Sequence, residues 1–274
     1  MVEIVQISDL HFGSEFCEER MSNVIQYLEQ NVPDAIVCTG DLTHKGRLEQ
    51  YYEFLPYYEK LKNIAPLICV PGNHDVKNSG IVLYERLIGP RRSILTLDDK
   101  ETIIVGICSA KDDLSDGEIG DEQLEWMVRH LSGSHQNKVL ILHHHLIAPP
   151  YAGRKFTMVH DAGEVIEFAL HFNIQLVLMG HRHISHAYVM EPSTFLYCGT
   201  TTSMKVRADE TPSFNKITLD RDNLEILVIN PVDLSEQLQL RRKNGRTEFI
   251  KQRTTRIEHI IESGIYNDSS LKID

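Results

Sequence analysis

Residues 67–75 read Leu-Ile-Cys-Val-Pro-Gly-Asn-His-Asp. An apolar run of strand length ends at Val70, Pro71-Gly72 turns the chain, and an amide, an imidazole and a carboxylate follow at once. The same order recurs four more times. Apolar runs at 2–7, 35–39, 138–142 and 175–179 lead into Asp9-Leu10-His11, Gly40-Asp41, His143-His144-His145 and Gly180-His181-Arg182-His183. Polar groups of metal-ligating type placed repeatedly at strand ends let a sheet assemble one site from distant sequence. Mixed carboxylate and imidazole ligands suit Mn, Fe or Zn. Two such ions a few ångströms apart need a carboxylate between them, and Asp41 is the natural bridge. In Asp9-x-His11 and His181-x-His183, an extended backbone puts both side chains on one face.

Outward from these runs the chain alternates between strand and helix. Helical spacing covers 18–30, 47–62, 79–88, 121–131 and 161–171, with Pro56 a kink or break in the second. In 121–131, Leu124, Met127, Val128 and Leu131 face inward, with Trp126 at the edge. Two further strands are expected at 93–97 and 102–108, joined through Asp98-Asp99-Lys100. After His183 come short strands at 185–190, 194–198, 213–219 and 224–229, which suit an antiparallel second sheet packed on the first. Residues 232–274 are weakly patterned, with a helix over 255–263. The expected organisation is a layered α/β catalytic domain over 1–230 and a C-terminal extension over 231–274 that caps the domain or pairs across a two-fold axis as a homodimer.

With 274 residues the chain can bury a large core. A net charge of −11 argues against a nucleic-acid binder, whose affinity rests on basic contacts to phosphate. No apolar stretch approaches the ~20 residues of a membrane span. Five dispersed cysteines without a CxxC pair, and a start that runs straight into a strand, point to reduced thiols and a cytoplasmic setting.

The series DxH, GD, GNHD, a histidine after an apolar strand, and GHxH, in that order over residues 9–183, resembles the calcineurin-like metallophosphoesterases. The resemblance implies a four-layer αββα sandwich with mixed sheets. It assigns one metal to Asp9, His11, Asp41 and His183 and a second to Asp41, Asn73, His143 and His181. It makes His74 the group that stabilises the transferring phosphoryl or protonates the leaving oxygen, with Asp75 orienting it. Within His143–His145 the ligand depends on where the strand ends, and a one-residue shift exchanges His143 with His144.

Gly117-Glu118 with Gln123-Leu124-Glu125-Trp126, the triple histidine, and Asp161-Ala162-Gly163-Glu164 are similar to the class III cyclic nucleotide phosphodiesterase branch. That branch usually has proline at His145 or Leu146, and often asparagine at Asp161. The implied activity is hydrolysis of a phosphodiester in a small nucleotide such as 3′,5′-cyclic AMP, by hydroxide held on two metal ions, Mn and Fe being the family's expectation. Candidate substrate contacts are His44, His145, His160 and Asp161, with Arg154 in the 146–160 loop. A phosphomonoesterase or a nucleotide pyrophosphatase would use the same core. A non-catalytic interaction module would be expected to have lost ligands that are all present here.

Overall fold

Val2–Ile7 forms β1, and its side chains alternate between two cores: Val2 and Ile4 face one, Val5 and Ile7 the other. Both faces of the strand are buried, and the one fully buried polar residue in it, Gln6, donates to Thr39 Oγ1 and to the Met179 carbonyl. The computed structural model describes residues 1–97, 101–150, 158–207 and 210–249. Helix α1 (Glu18–Gln30) leads to β2 (Ala35–Cys38), and α2 (Leu48–Ile64) leads to β3 (Leu67–Cys69). These three strands are parallel, so their carboxyl ends share one rim. Pro56 does not break α2. Pro56 and Tyr52 both lie on the exposed side, where water can satisfy the carbonyl that the proline cannot.

Helix α3 (Gly80–Leu87) carries the chain to the other sheet. There β4 (Ser93–Thr96) and β5 (Thr102–Gly106) pair antiparallel, followed by α4 (Asp121–Leu131), β6 (Asn137–Ile141), α5 (Ala162–His171) and β7 (Leu176–Met179). β8 (His186–Met190) and β9 (Ser193–Tyr197) complete this sheet in the order β4-β5-β6-β7-β9-β8, with β5, β6, β7 and β9 parallel. β10 (Phe214–Leu219) then returns to lie antiparallel to β1. β11 (Leu224–Ile229), β12 (Glu236–Lys243) and β13 (Arg246–Phe249) extend the first sheet outward.

The faces that meet between the sheets bring together Ile4, Val37, Ile68, Ile104, Ile141, Leu178, Leu196 and Ile226. Helices α1–α3 cover the outer face of the first sheet, and α4 and α5 that of the second. The architecture is the expected four-layer αββα sandwich with mixed sheets.

The expected separate antiparallel sheet after His183 is not formed. Its four strands divide between the two sheets, two joining each. Periodicity reports that a strand is buried, not which partner fills its hydrogen bonds. Residues 236–249, which lack a strand signal, form a hairpin because β11 leaves an edge to pair with. In α4, Met127 and Leu131 are buried but Val128 is 41% exposed, so the inward stripe is narrower than its apolar residues suggested. Asp98-Asp99-Lys100, Arg154 and the 255–263 helix lie outside the described residues. Among those described, no helix is long and apolar enough to cross a membrane. All five cysteines are free thiols, four of them buried.

Candidate metal centre

The loops after β1, β2, β3, β6 and β7 converge on one rim. Asp9, His11, Asp41, His181 and His183 all have positive φ, at 53°, 55°, 53°, 74° and 54°. They account for five of the eleven non-glycine residues in that region among those described, so the strain is concentrated at the site. Each costs about 1–2 kcal/mol, and hydrogen bonds between loops hold them there. Asp9 N–H donates to the Gly40 carbonyl at 3.0 Å and His11 N–H to the Asp41 carbonyl at 2.9 Å. The expected extended segments with a shared face are therefore left-handed turns. Convergence comes from loop conformation, not strand alternation.

The donor atoms fall into two sets. In one, His183 Nε2 lies 3.2 Å from Asp9 Oδ1 and 3.1 Å from His11 Nε2, which is itself 3.6 Å from Asp41 Oδ2. In the other, Asn73 Oδ1 lies 3.1 Å from His143 Nε2 and 2.9 Å from His181 Nδ1, and His143 Nε2 is 3.4 Å from Asp41 Oδ1. One carboxylate thus offers a different oxygen to each set. Metal–ligand bonds of 2.0–2.2 Å place neighbouring ligands roughly 3 Å apart, which is the spacing found. Asp9 Oδ1 is buried with no hydrogen-bond partner among the described residues, an arrangement that is costly without a cation. The residues present fit two ions.

Outer contacts fix the imidazoles. His143 Nδ1 donates to the Thr39 carbonyl at 2.7 Å and His183 Nδ1 to that of Lys205 at 2.6 Å, leaving each Nε2 facing the site. His144 turns away and pairs through Nδ1 with Ser109 Oγ at 2.8 Å, so of the two histidines left open by the sequence His143 joins the donor set. Close backbone approach matters as well: a Cβ on Gly72 would sit 2.2 Å from Asp41 Oδ1.

Burial works against the Asp41 charge, but His143, His74 and His11 more than offset it and hold the carboxyl well below its usual range. Burial holds His11 and His181 well below the usual histidine value, hence neutral and able to donate a lone pair. His143 is opposed by burial yet raised to about 9 by Asp41, so in the ion-free protein it is protonated below that pH. Ligation must release this proton. Metal affinity is therefore expected to rise about tenfold per unit between about pH 6 and 8. Competition against a metallochromic chelator measures this; a flat profile would show that no proton leaves.

His74 lines the cleft beside both sets. Its backbone N–H donates to Asp41 Oδ1 at 2.8 Å, and its Nδ1 donates to the His44 carbonyl at 2.6 Å, so Nε2 is the nitrogen left for a ligand. The expected orienting role of Asp75 is not seen. Fully buried, Asp75 accepts hydrogen bonds from the backbone of Leu42, Thr43 and Gly72 and from Thr43 Oγ1, tying the Asp41 and Asn73 loops together. Burial and the Asp41 charge push its carboxyl up to about 7.

Of the substrate candidates, His44 stands at the site, its ring 5.5 Å from that of His74. The other three are not offered to a ligand, although His145 does touch the donor sets. His145 is buried and stacks on His181. His160 is 61% exposed and pairs with Asp116. Asp161 is occupied by the backbone N–H groups of Ile119 and Gly120, at 2.9 and 2.7 Å, ahead of α4. A carboxylate satisfying buried backbone donors is not available to a ligand.

Sequence reasoning missed the residues that line the rest of the cleft. It measures about 210 Å³ and carries Lys77, Arg182, Lys205 and Arg207 beside His11, Asp41 and His74. Burial and the nearby Arg207 charge pull the Arg182 guanidinium down to about 10. Also missed was the strap after β9. Thr200 and Thr202 hydroxyls donate to the Asp9 and Leu10 carbonyls at 2.7 Å, and Met204 N–H donates to the Glu15 carbonyl at 2.7 Å. Its signal was present: Gly199-Thr200-Thr201-Thr202-Ser203 is a polar run directly after an apolar strand, like the other five.

A probable cyclic nucleotide phosphodiesterase of Synechococcus is 26% identical over 221 residues, covering 77% of this chain and 85% of that protein. The 3′,5′-cyclic adenosine monophosphate phosphodiesterase CpdA of Escherichia coli K12 is 28% identical over 203 residues, covering 66% and 70%. Among solved structures, a dimetal phosphatase from Danio rerio superposes with a TM-score of 0.66 at 11% identity, over 86% of this chain and 98% of that one. A purple acid phosphatase from yellow lupin gives 0.65 at 13% identity over 86% of this chain, which spans about half of it, 52%. The two structures speak for the fold. The profile of the calcineurin-like phosphoesterases matches residues 2–185, a span that contains every residue of both donor sets, and the chain belongs to that family.

Proposed function

We propose that the chain is a dinuclear phosphodiesterase that cleaves a phosphodiester bond in a small nucleotide such as 3′,5′-cyclic AMP. The observation that carries this reading is Asp41, whose two oxygens serve separate donor sets 3.4 and 3.6 Å away. The names of the two relatives above support the diester and the cyclic nucleotide. Asp9, His11, Asp41 and His183 hold one ion; Asp41, Asn73, His143 and His181 hold the other. Mn and Fe, or Zn, match this donor chemistry. Such a pair supplies Lewis acidity at the phosphoryl oxygens and a more acidic water.

The protein's own groups do the rest. The basic lining draws the anion into the cleft. The His44 carbonyl can only accept, so it keeps a proton on His74 Nδ1; a second proton on Nε2 is the one passed to the leaving oxygen. Residues 1–230 make up the catalytic domain in this reading, with 231–274 appended and edge strand β13 available for a homodimer. Five free thiols accord with a cytoplasmic setting.

The test is turnover with Mn²⁺ on bis-p-nitrophenyl phosphate, p-nitrophenyl phosphate and 3′,5′-cyclic AMP side by side. Hydrolysis of the diester and of cyclic AMP is expected. Hydrolysis of the monoester alone would instead make the protein a phosphatase on the same core. Bound metal without turnover of any ester would indicate an interaction module.

A further inference from the structure

Two of the left-handed residues outside the donor sets are adjacent: Asn78 at φ 52° and Ser79 at φ 64°, directly after Lys77. Such backbone is disfavoured for residues with a Cβ and persists only where the surroundings enforce it. Here they do. Asn78 N–H donates to Asp113 Oδ1 at 2.9 Å, and Asn78 Nδ2 donates to the Lys45 carbonyl at 3.0 Å. The buried Tyr51 hydroxyl lies 3.0 Å from the Asp75 carbonyl and 3.3 Å from that of Gly80, on either side of the turn. The crossing chain is so close that a Cβ on Gly46 would collide with the Lys77 carbonyl. This bracing brings one side chain to the site: Lys77 lines the cleft with His74, His11 and Asp41, whereas Asn78 and Ser79 are exposed.

Lys77 is half-buried and its charge is unspent. Lys205, on the same lining, has Glu15 at 3.9 Å. Among the described residues, no carboxylate lies within ion-pair distance of Lys77 Nζ and no hydrogen bond holds it. Burial draws its ammonium below the usual lysine range, and Asp41, whose charge opposes this, is committed to the donor sets. A partly desolvated cation without a counter-ion is costly, and an anion entering the cleft removes that cost. An ammonium is a compact point charge suited to a phosphoryl oxygen. Its place is also tied to that of His74. The carbonyls of the adjacent residues His44 and Lys45 accept from His74 Nδ1 and from the Asn78 amide, so one short segment fixes both ends of the His74–Asn78 stretch.

We propose that Lys77 is a substrate-contact residue whose ammonium binds a non-bridging oxygen of the phosphoryl group that is cleaved, on the side of the cleft held by His74. The proposal rests on the phosphoesterase reading above and deepens it, by giving the phosphoryl group a charged contact that does not pass through the ions.

The experiment is calorimetric binding of inorganic phosphate to the Mn²⁺-loaded full chain in about 0.5 M NaCl, where long-range attraction is screened and a direct contact survives. Wild type is compared with Lys77→Met, Lys77→Arg and Lys205→Met. Lys77→Met is expected to weaken binding about tenfold or more, and Lys77→Arg, which keeps the charge, by less than about threefold. Lys205→Met is also expected to cost less than about threefold, because Glu15 already offsets that charge. Unchanged affinity in Lys77→Met, or an equal loss in Lys205→Met, overturns the contact. An equal loss in Lys77→Arg, or loss of ions from Lys77→Met by mass spectrometry, would show that the residue supports the turn rather than the anion, and overturns it too. Bis-p-nitrophenyl phosphate turnover reports separately on the phosphoesterase reading: phosphate binding that depends on Lys77 without turnover of any ester would sink that reading and leave the phosphate contact in place.

Discussion

Replacing Asp41 with asparagine is expected to lower phosphodiester turnover by about 10³-fold or more and to leave fewer than two ions bound per chain. Losing an outer partner of a metal ligand already costs about 10–100-fold in affinity or activity. Asp41 stands nearer, with Oδ2 3.6 Å from His11 Nε2 and Oδ1 3.4 Å from His143 Nε2. Asparagine isolates the charge. It tolerates the φ of 53° at this position and can still accept the His74 N–H, which alanine cannot. Metal analysis by mass spectrometry alongside bis-p-nitrophenyl phosphate turnover decides the matter. A variant with two ions and wild-type kcat would refute the shared bridge.

His74→Ala is expected to separate the same two readouts. The backbone N–H that holds Asp41 Oδ1 survives, and the ring belongs to neither donor set, so two ions should still bind. What is lost is the Nε2 proton, with a kcat lower by about 10²–10⁴-fold, the usual scale for general acid–base catalysis. The loss should shrink for an ester whose leaving group is a p-nitrophenolate, which departs without a proton, and be largest for an alkoxide. Unchanged kcat on both kinds of ester would remove His74 from the reaction. Loss of metal would make its role structural.

Much of the site was readable because each donor group follows an apolar run, and apolar runs report strands through local burial. Asp9, His11, Asp41, Asn73, His143, His181 and His183 were all named in this way, and their division into two sets followed from the family resemblance. The candidates that the structure places away from the cleft, His160 and Asp161, share one cause. Proximity in sequence to the triple histidine or to a helix start does not say whether a polar group already has a partner. Asp161 has two backbone N–H groups to satisfy, and His160 has Asp116. Asp75 was misassigned for the same reason: adjacent to His74 in sequence, it is spent on Leu42, Thr43 and Gly72.

The amino-acid sequence by itself determined the donor types and their placement at strand ends, because these depend on composition and short-range periodicity; the layered αββα class followed from the family resemblance that the motif series carries. Only the tertiary structure decided that Asp41 divides its oxygens, that His44 rather than Asp75 anchors His74, and that Lys205 and Arg207 line the cleft. Those outcomes depend on left-handed turns and on hydrogen bonds between residues far apart in the chain. His181 N–H reaches Asp9 Oδ2 across 172 positions, and Thr200 reaches the Asp9 carbonyl across 191. A local pattern can say that a residue stops a strand. Which atom it then meets is set by loops that are strained one residue at a time and held in place from the far end of the chain.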